Sequence, residues 1–257
     1  MSAHTRSFIR PNWSAPSNVC AYVSTRLGGV SVEPFDSLNL GLHVNDDPSA
    51  VEQNRQLFTS YIALPDTVHW LNQTHGTRVV TLSDSSSNHT APDSADAAYS
   101  PAPQQVCAVL TADCLPVFFC DTAGTQVAVA HAGWRGLCDG VLESTLACFD
   151  DKSQVMAWLG PAIGPAAFEV GDEVKVAFES KLPEARAAFV PSDKEGKWLG
   201  NLYLLATQRL NAAGVQQVYG GDYCTYTDKA RFYSYRRDGK TGRMASVIWI
   251  NNAAMST

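Results

Sequence analysis

Between residues 106 and 130 the chain consists of short apolar, partly β-branched runs separated by turn residues, and this limits the fold more than any other stretch. Residues 106–110, 117–120 and 126–130 read as strands, the last two joined by Asp121-Thr-Ala-Gly124, a tight-turn composition. Further strands are expected at 19–25, 68–71, 79–82, 155–159 and 215–219. A terminal hairpin of 232–236 and 244–250 is expected around Asp238-Gly239. Helices are expected at 49–57, with Arg55 in the last turn, at 172–181, and at 201–213 between Asn201 and Gly214. Leu137, Val141, Thr145 and Cys148 recur at helical spacing and predict one more, with Leu142, Leu146 and Phe149 widening its apolar face. Strands outnumber helices, and the two do not alternate regularly. The pattern predicts a mixed α/β or α+β layered domain rather than a doubly wound sheet.

Reactive residues stand where these runs end. His75 lies in Asn72-Gln-Thr-His-Gly76, Cys114 in Thr111-Ala-Asp-Cys-Leu-Pro116, and His131 in Ala130-His-Ala-Gly-Trp-Arg-Gly136. Two imidazoles and a thiolate suffice to hold a zinc ion with one position open. If Asp121 pairs with Gly124, Cys114 falls opposite His131, with β-carbons about 5 Å apart. Two chemistries fit the trio. A metal could activate water or a substrate hydroxyl, or Cys114 could be a nucleophile activated by His75 or His131. Taken singly, each is a core or loop residue.

The 257 residues are 45% hydrophobic and 17% charged, enough for a sizeable core in one large domain or two small ones. A net charge of −6 gives no general attraction for nucleic acid or anionic lipid, so any anion must be bound locally. Arg6, Arg10 and Arg26 punctuate the N-terminal stretch without an apolar segment between them, so no secretory signal is read, and no run approaches membrane-span length. Seven cysteines, an odd number, point to reduced thiols and a cytoplasmic setting. The P-loop, G-x-G-x-x-G, G-x-S-x-G and H-E-x-x-H patterns are absent.

Gly133-Trp-Arg-Gly136 opens the predicted helix after His131. Beyond a tight helix start, it offers free N–H groups and Arg135 to an anion. Trp134, Phe168 and Tyr226 are core residues or stacking surfaces for an aromatic ligand. His43 could line a site, whereas His69 sits inside a strand, His4 in the tail and His89 in a serine-rich stretch, 83–96, read as an exposed loop.

These segments together resemble the laccase-domain family, variously called multicopper polyphenol oxidase, peptidoglycan editing factor and purine nucleoside phosphorylase. The resemblance runs through Ser24-Thr-Arg-Leu-Gly-Gly-Val-Ser31, Leu38-Asn-Leu-Gly41, Asp46-Asp-Pro48 and Asn54-Arg55, and then through the three motifs of His75, Cys114 and His131. It continues in Gly160-Pro-Ala-Ile-Gly164, Phe168-Glu-Val-Gly171, Tyr233-Ser-Tyr-Arg-Arg237 and Thr241-Gly-Arg243. It implies a single domain over 1–257, a layered sandwich of mixed β-sheets flanked by helices. It implies that His75, Cys114 and His131 are metal ligands, usually for zinc, and that Asn39, Arg55 and Gln73 border the substrate. The implied activity is phosphorolysis of adenosine, inosine and methylthioadenosine, with adenosine deamination beside it. Arg55 or Arg135 would hold the phosphate, and a monomer is expected. Some relatives carry a cysteine after Gly-Pro-x-Ile-Gly, where this chain has Ala166 and Ala167. Copper-dependent phenol oxidation and hydrolysis of a cell-wall precursor are the alternatives. Six histidines in all cannot supply the mononuclear and trinuclear centres of ordinary laccases, so copper would be a single ion at the zinc site.

Overall fold

The computed structural model describes residues 8–82 and 92–252. The first elements are β1 (Phe8–Ile9), β2 (Val19–Ser24), α1 (Pro48–Ile62), β3 (Val68–His69) and β4 (Val79–Thr81). Then come β5 (Ala97–Ser100), β6 (Val106–Thr111), β7 (Leu115–Asp121), β8 (Val127–Ala132), α2 (Trp134–Asp139), α3 (Val141–Leu146) and β9 (Val155–Leu159). The remainder holds β10 (Glu169–Gly171), α4 (Asp172–Lys181), β11 (Phe189–Pro191), β12 (Lys197–Gly200) and α5 (Leu202–Ala212). It ends with β13 (Gln217–Gly220), α6 (Tyr235–Asp238) and β14 (Met244–Ile250).

The strands form a five-stranded mixed sheet, β1-β2-β14-β6-β3, and a six-stranded mixed sheet, β13-β9-β7-β8-β5-β4. A small antiparallel sheet, β10-β12-β11, is separate. Side-chain alternation stacks the two large sheets. Phe118 and Cys120 of β7 meet Met244, Ile248 and Ile250 of β14 in one buried cluster, where the Phe118 and Trp158 rings stack at 5.8 Å. The opposite face of β7, with Val117 and Phe119, packs under Leu137, Leu142, Val174 and Leu205 of the helices. Ala245, Val247 and Trp249 of β14 pack with Phe58 and Ile62 of α1. The order of layers is therefore helix, sheet, sheet, helices, the expected layered α/β sandwich.

Strand β9 and helix α4 fall at the expected residues, and α5 is capped by Asn201, which accepts a hydrogen bond from the Leu204 N–H. Four expectations are corrected. Helix α1 continues to Ile62, because Val51, Asn54, Phe58 and Ile62 keep one buried face, so Arg55 is mid-helix. The helix drawn through Leu137 and Cys148 is two, α2 and α3, broken at Gly140 with φ 109°. No terminal hairpin forms: residues 235–238 are helical, and β14 pairs instead with β2 and β6. The stretch 83–96 is not wholly an exposed loop, since Ala95 and Asp96 are fully buried; His89 and residues 83–91, like His4, lie outside the described residues.

Candidate metal centre

His75 is in the loop between β3 and β4, Cys114 just precedes β7, and His131 is in β8. Their ligand atoms lie within 4.8 Å of one another, and the two imidazoles meet edge to face at 4.8 Å between centroids. The route to this meeting differs from the expected hairpin. Asp121 accepts the N–H groups of Thr125 and Gln126, lengthening the connection, and Pro116 rather than Cys114 is opposite His131. The shift is two residues. A two-residue shift preserves the face, so Cys114 and His131 still meet.

A buried carboxylate organises two of the three. Asp96 accepts the N–H groups of Thr74, His75 and Gly76, the Thr74 hydroxyl, and His131 Nδ1 at 2.9 Å. It holds the His75 backbone at φ 62°, where a non-glycine residue is costly, and points the other His131 nitrogen toward Cys114. Asp113 does the same for the Cys114 loop. Its carboxylate accepts Thr225 Oγ1, Ser234 Oγ and the Arg236 N–H, tying that loop to the C-terminal segment.

Two glycines are required by space. A β-carbon on Gly133 would lie 2.9 Å from His75 Cδ2, 3.2 Å from Cys114 Sγ and 3.6 Å from His131 Cε1. One on Gly136 would lie 2.6 Å from the Gly76 carbonyl. The His-Ala-Gly-Trp-Arg-Gly motif is thus the wall of the site.

Burial pushes the Cys114 thiol up, but His131 and His75 outweigh it and leave the thiol at about 6. Burial pushes His131 down, and Cys114 and Asp96 outweigh that, raising it to about 9. Burial also opposes ionisation of Asp96, yet the hydrogen bonds from His131, Gly76 and Thr74 hold it well below the usual carboxylate range.

Residues 20–251 match the family described as multi-copper polyphenol oxidoreductase laccase. The chain belongs to that family. It is 54% identical over 243 residues to the purine nucleoside phosphorylase of Haemophilus influenzae, covering 94% of this chain and 98% of the relative. It is 54% identical over 243 residues to purine nucleoside phosphorylase YfiH of Escherichia coli, with the same coverage, 94% and 98%. Protein NMB0706 of Neisseria meningitidis superposes with a TM-score of 0.90 at 48% identity, covering 96% of this chain and all of that one. YlmD of Geobacillus stearothermophilus superposes at 0.88 with 31% identity, covering 98% of each.

The laccase-family trio fits a metal ion. The donors are two imidazole nitrogens and a low-pKa thiol, and a β-carbon on Gly133 would crowd all three side chains. Among the described residues it is the one group of three such donors, which suits a single ion rather than a multi-copper cluster.

The other expected residues are placed differently. Gln73 gives its side-chain amide to the Leu110 N–H and carbonyl, extending the edge of β6 like an added strand. Asn39 is fully buried, spent on Gly41, Asp46 and the Arg243 N–H. Arg55 donates twice to the Leu40 carbonyl and lies over Trp70. Arg135 is exposed over Trp134, and α2 has only six residues, so the anion site expected at its start has little behind it. Phe168 is core, and Tyr226 is 38% exposed. His69 is held by Asp93 at 3.1 Å. His43 is only partly withdrawn from water, and that desolvation, with the charges of Arg243, Arg55 and His131, lowers its pKa. From sequence alone Asp96 has no role, Asp113 is marked only as a neighbour of Cys114, and Arg243 reads as a solvated charge. An Asp inside Ser94-Ala-Asp-Ala-Ala-Tyr99 was the available signal for the first.

Proposed function

We propose that this chain is a zinc-dependent purine nucleoside phosphorylase for adenosine, inosine and methylthioadenosine, with adenosine deamination as a second activity of the same centre. The observation that carries it is the convergence of His75, Cys114 and His131 within 4.8 Å, in a chain 54% identical to proteins named purine nucleoside phosphorylases. His75, Cys114 and His131 would hold the ion, which when bound supplies a Lewis acid with an open position. Asp96 orients His131 and the His75 loop; Asp113 fixes the approach of Cys114. In the reaction, a phosphate oxygen bonds to the anomeric carbon as the bond from that carbon to the purine nitrogen breaks. The bonding pair leaves with the purine, and the proton of monohydrogen phosphate ends on the base. Deamination needs only water at C6, with the amino group leaving as ammonia.

The test is release of hypoxanthine from inosine, with metal content measured on the same sample. Base release that requires phosphate and disappears in Cys114→Ala supports the reading. Release without phosphate, or none in metal-loaded protein, overturns it.

A second reading has one observation behind it. Cys114, His131 and Asp96 also form a thiol–imidazole–carboxylate relay, the arrangement of a cysteine nucleophile. Hydrolysis of a cell-wall precursor that survives chelation and is lost in Cys114→Ser would favour it.

A further inference from the structure

Five arginines among the described residues are half-buried: Arg26, Arg55, Arg209, Arg237 and Arg243. Three of them hold carboxylates, Arg26 with Asp36 at 3.0 Å, Arg209 with Glu143 at 2.8 Å and Arg237 with Asp238 at 2.7 Å. Arg55 and Arg243 form no ion pair among the described residues. A guanidinium withdrawn from water without a direct ion pair is costly; Glu52 acts on Arg55 without forming one, and both arginines are withdrawn at the same loop.

Both clamp the loop at residues 39–41. Arg55 Nε and Nη2 reach the Leu40 carbonyl at 3.1 and 3.0 Å. The Arg243 N–H donates to Asn39 Oδ1, and its Cγ covers Gly41, where a β-carbon would come within 2.8 Å. Arg243 Nη1 is spent on the carbonyls of Thr241 and Gly242, at 3.0 Å each. Its Nε and Nη2, and Nη1 of Arg55, have no hydrogen-bond acceptor among the described residues. Arg243 also stands beside the metal centre. Met244 pairs with Thr111 in antiparallel register, so Arg243 follows the line of β14 toward Ala112 and the Cys114 loop. The charges of Cys114 and Asp113 act on it, and Tyr235, 61% exposed, lies 6.0 Å from it. The charges of Arg243, Arg55 and His131 are all felt at His43, two residues beyond that loop. The Asp113 carboxylate is already spent on Thr225, Ser234 and the Arg236 N–H.

We propose that Arg243 and Arg55 form the phosphate site of the reaction, with Arg243 on the side of Cys114. This rests on the phosphorolysis reading. A phosphate dianion would pair directly with both guanidiniums and accept the uncommitted N–H groups. It also explains how a protein of net charge −6 attracts an anion, by a local fork rather than an overall field.

The test titrates inorganic phosphate into metal-loaded protein by calorimetry and measures the phosphate and inosine KM values. The proteins compared are the natural chain, Arg243→Met, Arg243→Lys, Arg55→Met and Arg135→Ala, with thermal unfolding reporting on the fold. Arg243→Met is expected to raise the phosphate Kd and KM about 10- to 100-fold, as for loss of a charged hydrogen-bonded fork, and inosine KM less than about 3-fold. Arg243→Lys keeps the charge and loses the fork, so its phosphate loss is smaller; Arg55→Met shifts phosphate in the same direction. Unchanged phosphate affinity in folded Arg243→Met or Arg243→Lys, or an equal loss in Arg135→Ala, overturns the assignment. If the natural chain binds phosphate but cleaves no nucleoside, the phosphorolysis reading fails, and calorimetry still decides whether Arg243 holds the anion.

Discussion

Gly133 has φ −60° and ψ 154°, angles open to any residue, so space alone requires glycine there. Gly133→Ala is therefore a clean probe: its methyl would press on His75 Cδ2, Cys114 Sγ and His131 Cε1, crowding all three candidate ligands. Metal affinity should fall by about 10- to 100-fold while the fold survives, a loss of the size seen when ligand surroundings are disturbed. Full metal content in the purified variant would contradict the site. Asp96→Asn keeps the shape but turns an NH2 group toward N–H donors. It should cost about 2–4 kcal/mol of stability by denaturant unfolding, from unmet buried hydrogen bonds, and weaken metal binding as well. The pH dependence follows from Cys114 at about 6 and His131 at about 9. Between these values the metal-free site carries a thiolate and an imidazolium, and the ion must displace the His131 proton. Affinity should then rise about tenfold per pH unit, and more steeply below about 6, where the thiol proton must leave too. Competition against a zinc chelator from pH 5 to 9 measures this, and a flat profile would refute the pairing.

At the scale of elements, the site depends on pieces that imitate regular structure. Gln73 has a side chain that pairs with Leu110 as a backbone would, which lays the His75 loop along β6. Gln73→Ala strands the N–H and carbonyl of Leu110, which is 5% exposed. Unfolding should become easier by about 1–3 kcal/mol, with weaker metal binding as the loop loosens. A loss of stability with unchanged metal affinity would show that the loop is held by Asp96 alone. The break between α2 and α3 shows why spacing misled. Leu137, Val141 and Thr145 are all buried, on both sides of Gly140, so the apolar rhythm continues while the backbone does not.

For the whole molecule, the candidate metal centre hangs from the middle of the six-stranded sheet, and that sheet is fixed by the one behind it. Phe118 lies fully buried between them against Trp158. Phe118→Ala should lower stability by about 3–5 kcal/mol in thermal or denaturant unfolding. The defect should be one of stability first, because Phe118, although on the same face of β7 as the ligands, lies further along the strand and packs against Trp158 between the sheets. Retention of near-natural stability would mean that the two sheets are not held by this cluster.

What the chain determines locally is the periodicity of β9, α4 and α5, the caps at Asp47 and Asn201, and the types of the candidate ligand residues in their punctuated motifs. Each is a short-range pattern of burial or hydrogen bonding, readable without neighbours. Tertiary structure decided that β14 runs between β2 and β6, because a strand buried on both faces, Met-Ala-Ser-Val-Ile-Trp-Ile, carries no mark of its partners. It decided that Asp96 is a support rather than a loop residue. It also decided which arginines lack a carboxylate, since a charge finds or lacks its partner only when segments distant in the chain fold against it.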